Sequence, residues 1–463
     1  MATDDHGFAT EQVHGGFVPD AGHGARVPAI HMSSGFLFDD FDQARDRFAD
    51  TDTDDGYTYT RLGNPTNADV ERRVALLERG VQAILVGSGQ AAATVAFLGL
   101  LQAGDHVVSA RSIYEGTRGL LLQNLGRLGI EVDFVTDARD LDAWAAAVRP
   151  NTKAFFAETI PNPKNDVLDI TGVAETAHRA GVPLIVDNTL ATPYLVRPVE
   201  HGADIVVHSA SKFLSGHGAG LGGVVVDGGR FDWSAAPERW THLTSPERSL
   251  GGESYVDRYG NRAFAVFARD VVAARIGPAP SPFNAFLLRQ GIETLSLRVE
   301  RHCANALAVA SWLDQQPEVT SVDHAGLASS PFHDLAQRYL PRGAGSVFAF
   351  TLAGGEAAAR AFIDAVQLFS RMTHLGDVRS LILHPATTTH AGRTPEERAE
   401  QGIDDGLIRL SVGIEDVADL LRDLERGLVA VRSADAAGGL EARGASDAHR
   451  AAVGGPALDR QGR

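Results

Sequence analysis

The chain has 463 residues, 44% hydrophobic and 22% charged, an ordinary globular composition with length enough for two or three domains around a large core. Its formal net charge of -17 argues against nucleic acid or anionic lipid as a partner, since both need a basic face. A single cysteine, Cys303, excludes an internal disulfide framework and a cysteine-based metal cluster, the usage expected in a reducing cytosol. The opening MATDDHGFATEQ carries acids where a signal peptide has a basic and then an apolar segment, and no apolar run approaches the ~20 residues that span a bilayer, so the expected location is cytoplasmic.

Residues 1–64 lack steady periodicity and read as an extended arm, with the acidic cluster Asp50 to Asp55 as a solvated loop. In the next stretch, YTYTRLGNPT, Tyr59 and Arg61 lie in a loop. Asn64 can cap a helix and Pro65 can take its first position, with Val70, Val74 and Leu77 on one face as far as about Arg79. AILVGSGQAAATVAFLGLL reads as strand, Gly-rich turn and helix. Gly87, Ser88, Gly89 and Gln90 stand where exposed N–H groups and the positive end of the helix dipole suit a phosphate. Gly87-x-Gly89-x-x-Ala92 also fits a dinucleotide fingerprint, but the following strand DHVVSA ends without the acid that would bind a ribose. Tyr114 follows that strand, and its flat ring can stack on a π-system. Helix and strand alternate through 119–128, IEVDFVT, 141–148 and KAFFAET to Asn162 at another strand end. Asp169 then opens a helix that Gly181 and Pro183 end.

The run from Leu184 to Asp227 organises the rest. Leu184 to Val186, Ile205 to Val207 and Val224 to Val226 are each too short for a helix and rich in Val and Ile, so they read as buried parallel strands. Asp187 and His208-Ser209-Ala210-Ser211-Lys212 sit at strand ends, where open α/β sheets bind ligands. This arrangement suits pyridoxal phosphate: Lys212 as the amine that joins the cofactor aldehyde, Asp187 as the carboxylate keeping the ring nitrogen protonated, Ser209 and Ser211 as donors to the phosphate. Asn162 is placed to hydrogen-bond the cofactor's phenolic oxygen. His201, His208 and His217 lack carboxylate or Cys partners at ligand spacing and read as turn or core histidines, so no metal is expected.

From Gly228 to about Gly277 the pattern weakens into an aromatic, polar segment that reads as a functional loop or inter-subunit contact. SPFNAFLLRQGIETLSLRVERHCANALAVASWLDQ is helical and leads into a second domain, with strands expected at 319–322, 346–352, 380–383 and 407–412 and helices at 356–368 and 416–431. In LIRLSVG, alternation puts Leu407, Arg409 and Ser411 on one face, where a guanidinium fork on a rigid strand can grip a carboxylate. Residues 432–463 are rich in Ala, Gly and charge without large apolar groups, and read as a disordered tail.

VDNT, the span TPYLVRPVEHGADIVVHSASK and the following GHGAGLGG resemble the cystathionine/methionine-metabolism family of pyridoxal phosphate enzymes, and within it most of all the O-acetylhomoserine sulfhydrylases, over roughly Phe8 to Ala430. The resemblance implies an α/β chain of PLP-dependent transferase fold type I. It has a large cofactor-binding domain (65–277) on a mostly parallel seven-stranded sheet sandwiched by helices, and a smaller α+β C-terminal domain (278–431). It implies a homo-oligomer, a dimer of dimers, in which the arm's Tyr59 and Arg61 reach the phosphate of the neighbouring subunit's cofactor. Gly89 and Gln90 would meet the phosphate through their backbone, Tyr114 would lie over the ring, Arg409 would hold the substrate α-carboxylate and Ser380 would be a second substrate contact. Glu115 departs from the family's usual Gly, which bears on substrate fit. Arg379 stands where cystathionine-cleaving members tend to have an acid, and favours a smaller, uncharged leaving group. The implied reaction is γ-replacement of an acyl group on homoserine by sulfide. A γ-lyase, a synthase using O-succinylhomoserine, and a non-catalytic assembly or regulatory protein retaining the fold are the alternatives.

Overall fold

The computed structural model describes residues 6–19, 22–49 and 56–453. The acidic cluster at 50–55 lies outside the described residues.

Seven strands form the larger sheet: β1 Gln82–Val86, β2 His106–Ala110, β3 Glu131–Val135, β4 Thr152–Glu158, β5 Leu184–Asp187, β6 Ile205–His208 and β7 Gly223–Asp227. Their spatial order is β1-β7-β6-β5-β4-β2-β3. Neighbours from β6 through β3 are parallel. Each crossover carries a helix or helical turns across a face, and the central strands, covered on both sides, consist of buried Val, Ile, Phe and Ala. One expectation fails: Val224 to Val226 belong to β7, which runs antiparallel to both β1 and β6. The 209–222 connection stays at the carboxyl end of β6 and turns back without a crossover helix, so β7 has to reverse.

Helix Pro65–Glu78 starts as its sequence requires, with Asn64 Oδ1 accepting from Thr66 N–H (2.9 Å) and Pro65 in the first turn. Two helices, Phe8–His14 and Phe41–Ala49, interrupt the stretch read as an extended arm. The segment 228–277 is also not a loop: it folds as a run of short helices whose Trp233, Trp240 and Phe264 are buried in the main core.

A second sheet has the order β10-β11-β12-β9-β8, from β8 Val319–Asp323, β9 Val347–Leu352, β10 Ser370–Arg371, β11 Leu381–Leu383 and β12 Leu407–Ser411. Phe348, Phe350, Ile408 and Leu410 pack there against Phe362, Leu420, Leu424 and Leu428 in a core of their own. Helix Leu295–Leu313 joins the two cores, burying Leu295, Val299 and Cys303 in the first and Ala306, Val309, Ala310 and Leu313 in the second. The last helix runs Val417–Val453 and continues into the stretch expected to be a disordered tail, where Ala, Arg and Glu favour helix locally. No helix among the described residues is long and apolar enough to cross a membrane.

Candidate active site

The carboxyl ends of the parallel strands open onto a cavity of about 290 Å³, closed on its other side by Thr373, His374, Leu375 and Arg409 of the second sheet's region. Lys212, in the 209–222 connection, lines it with its Nζ 3.2 Å from His374 Nδ1. Burial, and then the nearby Arg409 guanidinium, pushes the lysine amine down from 10.5 to about 8. That leaves it readily deprotonated, as a nucleophile or base must be. The chain has only three lysines. Lys153 donates to the Arg239 carbonyl over the Trp240 ring, and Lys164 pairs with Asp323 at 3.7 Å. Neither lines this cavity.

Asp187 ends β5, and its Oδ1 accepts from both Thr189 N–H (2.9 Å) and Thr189 Oγ1–H (2.5 Å). Beside it in register stands Glu158, the last residue of β4. Burial raises both carboxyls, and for Glu158 burial first and the Asp187 charge second take it well above the usual carboxylate range. Two adjacent buried carboxylates hold one charge more easily than two. The two Thr189 donors put that charge on Asp187 and leave Glu158 the protonated member, with its Oε1 accepting Tyr114 N–H at 2.6 Å.

At the other end, Ser88 Oγ caps helix Gly89–Leu98 by accepting from Ala91 N–H (3.2 Å), and Gly89 and Gln90 ahead of that amide line the cavity. A Cβ on Gly89 would lie 2.6 Å from Ser209 Cβ, so this close approach admits only glycine. Gly116 does the same for Tyr114: a Cβ there would lie 2.4 Å from the Tyr114 ring and 2.7 Å from Gln90 Nε2. Ser209 N–H donates to Thr189 Oγ1 (2.8 Å), and the Ser211 hydroxyl exchanges hydrogen bonds with Gly222 N–H (3.0 Å) and Gly222 carbonyl (3.3 Å), tying the lysine connection to β7. Asn162 Oδ1 is buried at the cavity wall without a hydrogen-bond partner.

Arg409 is the cavity's fixed cation. It is 1% exposed on β12, and its Nη2 donates to the carbonyls of Met372 (3.2 Å) and His374 (3.1 Å). Burial lowers it to about 10, which still leaves it charged at neutral pH. Ile408, Leu410 and Val412 turn the other way into the second core, as the alternation requires.

The cavity thus brings together Gly89, Gln90, Tyr114, Asn162, Asp187, Ser209, Ser211, Lys212 and Arg409. It does not bring Ser380, whose hydroxyl is engaged by Glu415 Oε2 (2.9 Å) and Gly413 N–H (2.8 Å) and serves to clamp β11 to the turn after β12. Tyr59 and Arg61 lie elsewhere on the same chain, with Arg61 donating to the Ala274 carbonyl and its guanidinium 5.5 Å from the Tyr59 ring centre. Glu115 does not line the cavity; Arg393 grips it through Nη2 (2.5 and 2.7 Å) and Nε (3.2 Å). Arg379 is exposed and held by Asp377 (2.8 Å) and the His217 carbonyl (2.7 Å), so it does not face a substrate in this chain. The histidines read as turn or core residues go separate ways: His208 to Glu78 (2.7 Å), His217 to the Ser215 carbonyl (2.7 Å) and His201 edge-on to Tyr339. Glu158 and Thr189 were legible as strand-end neighbours of Asn162 and Asp187 but not singled out. His374 lies between β10 and β11, where no periodicity marks it.

These residues fit pyridoxal phosphate. A lysine of lowered basicity, a buried carboxylate facing the cavity, a glycine cradle at a helix start and a fixed guanidinium are the groups its aldehyde, ring nitrogen, phosphate and an amino-acid carboxylate need.

An O-acetyl-L-homoserine sulfhydrylase of Corynebacterium glutamicum is 47% identical to this chain over 431 residues, covering 92% of this chain and 98% of that one. Among solved structures, a Campylobacter jejuni protein assigned as an O-acetylhomoserine (thiol)-lyase superposes with a TM-score of 0.86 at 35% identity, over 91% of this chain and 99% of that one. It contains N'-pyridoxyl-lysine-5'-monophosphate. A cystathionine gamma-lyase from Lactobacillus plantarum, complexed with L-serine, gives 0.78 at 33% identity over 92% and 100%. The profile of the Cys/Met metabolism PLP-dependent enzymes matches residues 9–429, and with a lysine, a carboxylate and an arginine already gathered around one cavity, the chain belongs to that family.

Proposed function

We propose that the chain converts O-acetyl-L-homoserine and sulfide to L-homocysteine and acetate, as a step of methionine biosynthesis. The observation that carries this reading is Lys212, Asp187 and Arg409 around one cavity of about 290 Å³. The likeness to an O-acetyl-L-homoserine sulfhydrylase supports the choice of substrate.

Bound pyridoxal phosphate supplies an electron sink next to the substrate's Cα. Asp187, already carrying two Thr189 hydrogen bonds, holds the charge that keeps the ring nitrogen protonated. Gly89, Gln90, Ser209 and Ser211 would hold the phosphate, with Asn162 on the phenolic oxygen and Tyr114 over the ring. Arg409 takes the α-carboxylate in a two-pronged grip. Lys212, its amine freed by the substrate's own, would take a proton from Cα and, once it has handed that proton on, one from Cβ. Acetate leaves Cγ with its bonding pair, sulfide bonds to Cγ, and the protons return to Cβ and Cα, so that the net exchange is acetate for thiol.

The active unit is a homo-oligomer, a dimer of dimers, in which Tyr59 and Arg61 complete the neighbouring subunit's phosphate site. Their position apart from this chain's own cavity is consistent with that role. We place the reaction in the cytoplasm, in keeping with an unpaired, buried Cys303. A second reading, γ-elimination, is favoured by the likeness to a cystathionine gamma-lyase. Purified protein given O-acetylhomoserine with and without sulfide separates the two: homocysteine and acetate are expected, while 2-oxobutyrate and ammonia at the same rate whether or not sulfide is present would replace this reading with elimination.

A further inference from the structure

Among the groups around the cavity, His374 has a place beside Lys212 but no assigned chemistry. Its Nδ1 is the hydrogen-bond partner of Lys212 Nζ (3.2 Å), and its Nε2 is buried with no partner. Three main-chain carbonyls, those of Met372, Thr373 and His374 itself, are anchored by the Arg409 guanidinium, so the imidazole stands on a segment fixed by the substrate-binding cation. We propose that His374 is a positioning residue for Lys212: its imidazole accepts a hydrogen bond from the lysine nitrogen and aims that nitrogen into the cavity through successive proton transfers. This deepens the reading above and rests on Lys212 being the reacting amine.

The charges around the pair suit such a bond. His374 faces Lys212, Arg409 of β12, and Asp377 and Arg379 of its own connection, while Asp187, Glu158 and Tyr114 line the rest of the cavity. Burial first, and then the Lys212 charge, pushes the imidazole down to about 4, so at neutral pH it is neutral and its Nδ1 lone pair can accept. An acceptor on an ammonium favours the protonated form, so its loss lowers the lysine nitrogen's proton affinity by about one pH unit, the scale of one charge-assisted hydrogen bond.

The test compares His374→Leu and His374→Gln in the cofactor-loaded protein, using three readouts: the pH at which the cofactor's visible absorbance changes, the acid limb of kcat against pH, and the thermal midpoint. His374→Leu is expected to move the absorbance transition and the acid limb down by about one pH unit and to lower kcat about 10-fold with KM little changed. His374→Gln, which keeps an acceptor, should restore both. A leucine variant that loses thermal stability while both pH transitions stay in place overturns the proposal, and so does a glutamine variant that shifts as far as leucine. Should leucine prevent folding, His374→Ala carries the same expectation. The absorbance titration uses no substrate, so it judges His374 even if O-acetylhomoserine is not turned over.

Discussion

Arg409→Lys keeps a positive charge on β12 and removes the fork. In the folded chain the guanidinium is 1% exposed, with donors on the Met372 and His374 carbonyls at 3.2 and 3.1 Å and a buried Nε that lacks a partner. A substrate carboxylate reaching this group would gain a two-pronged, charge-assisted contact in a dry site. Lysine can restore one point contact but not the second, and one hydrogen bond to a charged group is worth ~1.5 to 3 kcal/mol. At ~1.4 kcal/mol per tenfold, the KM for O-acetylhomoserine should rise between ~10-fold and ~100-fold, with kcat falling less. The assay is initial-rate homocysteine formation at saturating sulfide, with the thermal midpoint as the control for the 372–374 segment. An unchanged KM in a variant that melts where the wild type does would refute the carboxylate role.

Asp187→Asn removes the anion while keeping the shape and an Oδ1 that can accept both Thr189 hydrogen bonds, and should lower kcat by ~10²-fold or more with the protein still folded and cofactor still bound; near wild-type turnover would show that the ring nitrogen's charge is set elsewhere. Gly89→Ala puts a methyl group 2.6 Å from Ser209 Cβ, so cofactor affinity measured by equilibrium dialysis should fall at least ~10-fold, and equal affinity would remove the cradle from the account. The cofactor-free protein also tests Lys212. Its amine is down at about 8 from 10.5, so the unfolded chain binds more protons between those values and stability from this group rises with pH across that window. The shift amounts to about 3 kcal/mol. Lys212→Met should therefore be the more stable protein below about pH 8 and lose that advantage toward pH 10.5; a constant difference over that range contradicts the buried amine.

Much of this site was legible because strand ends in a parallel sheet are fixed by short Val-rich and Ile-rich segments, and polar residues placed there by sequence are placed there in space. Asn64 and Pro65 announced their helix by capping chemistry alone. The direction of β7 was not legible, because Val224 to Val226 looks the same to a hydrophobic pattern whether the chain crosses over or turns back. Ser380 and Glu115 misled for another reason: Ser380 was placed by resemblance and Glu115 stands beside Tyr114, but Glu415 and Arg393 satisfy them away from the cavity, and no local pattern reveals a partner 35 or 278 residues away. His374 was missed on the same ground, since its partner Lys212 is 162 residues away. The long aromatic segment 228–277 read as a loop because its helices are short, and only the packing of Trp233, Trp240 and Phe264 makes them a wall of the core.

With three lysines in the chain, attachment can be read directly. The cofactor-loaded protein is reduced with borohydride, digested, and its peptides are weighed. The account predicts one phosphopyridoxyl group per chain, on the peptide that holds Lys212. A label on the Lys153 or Lys164 peptide, or none on any, would contradict it.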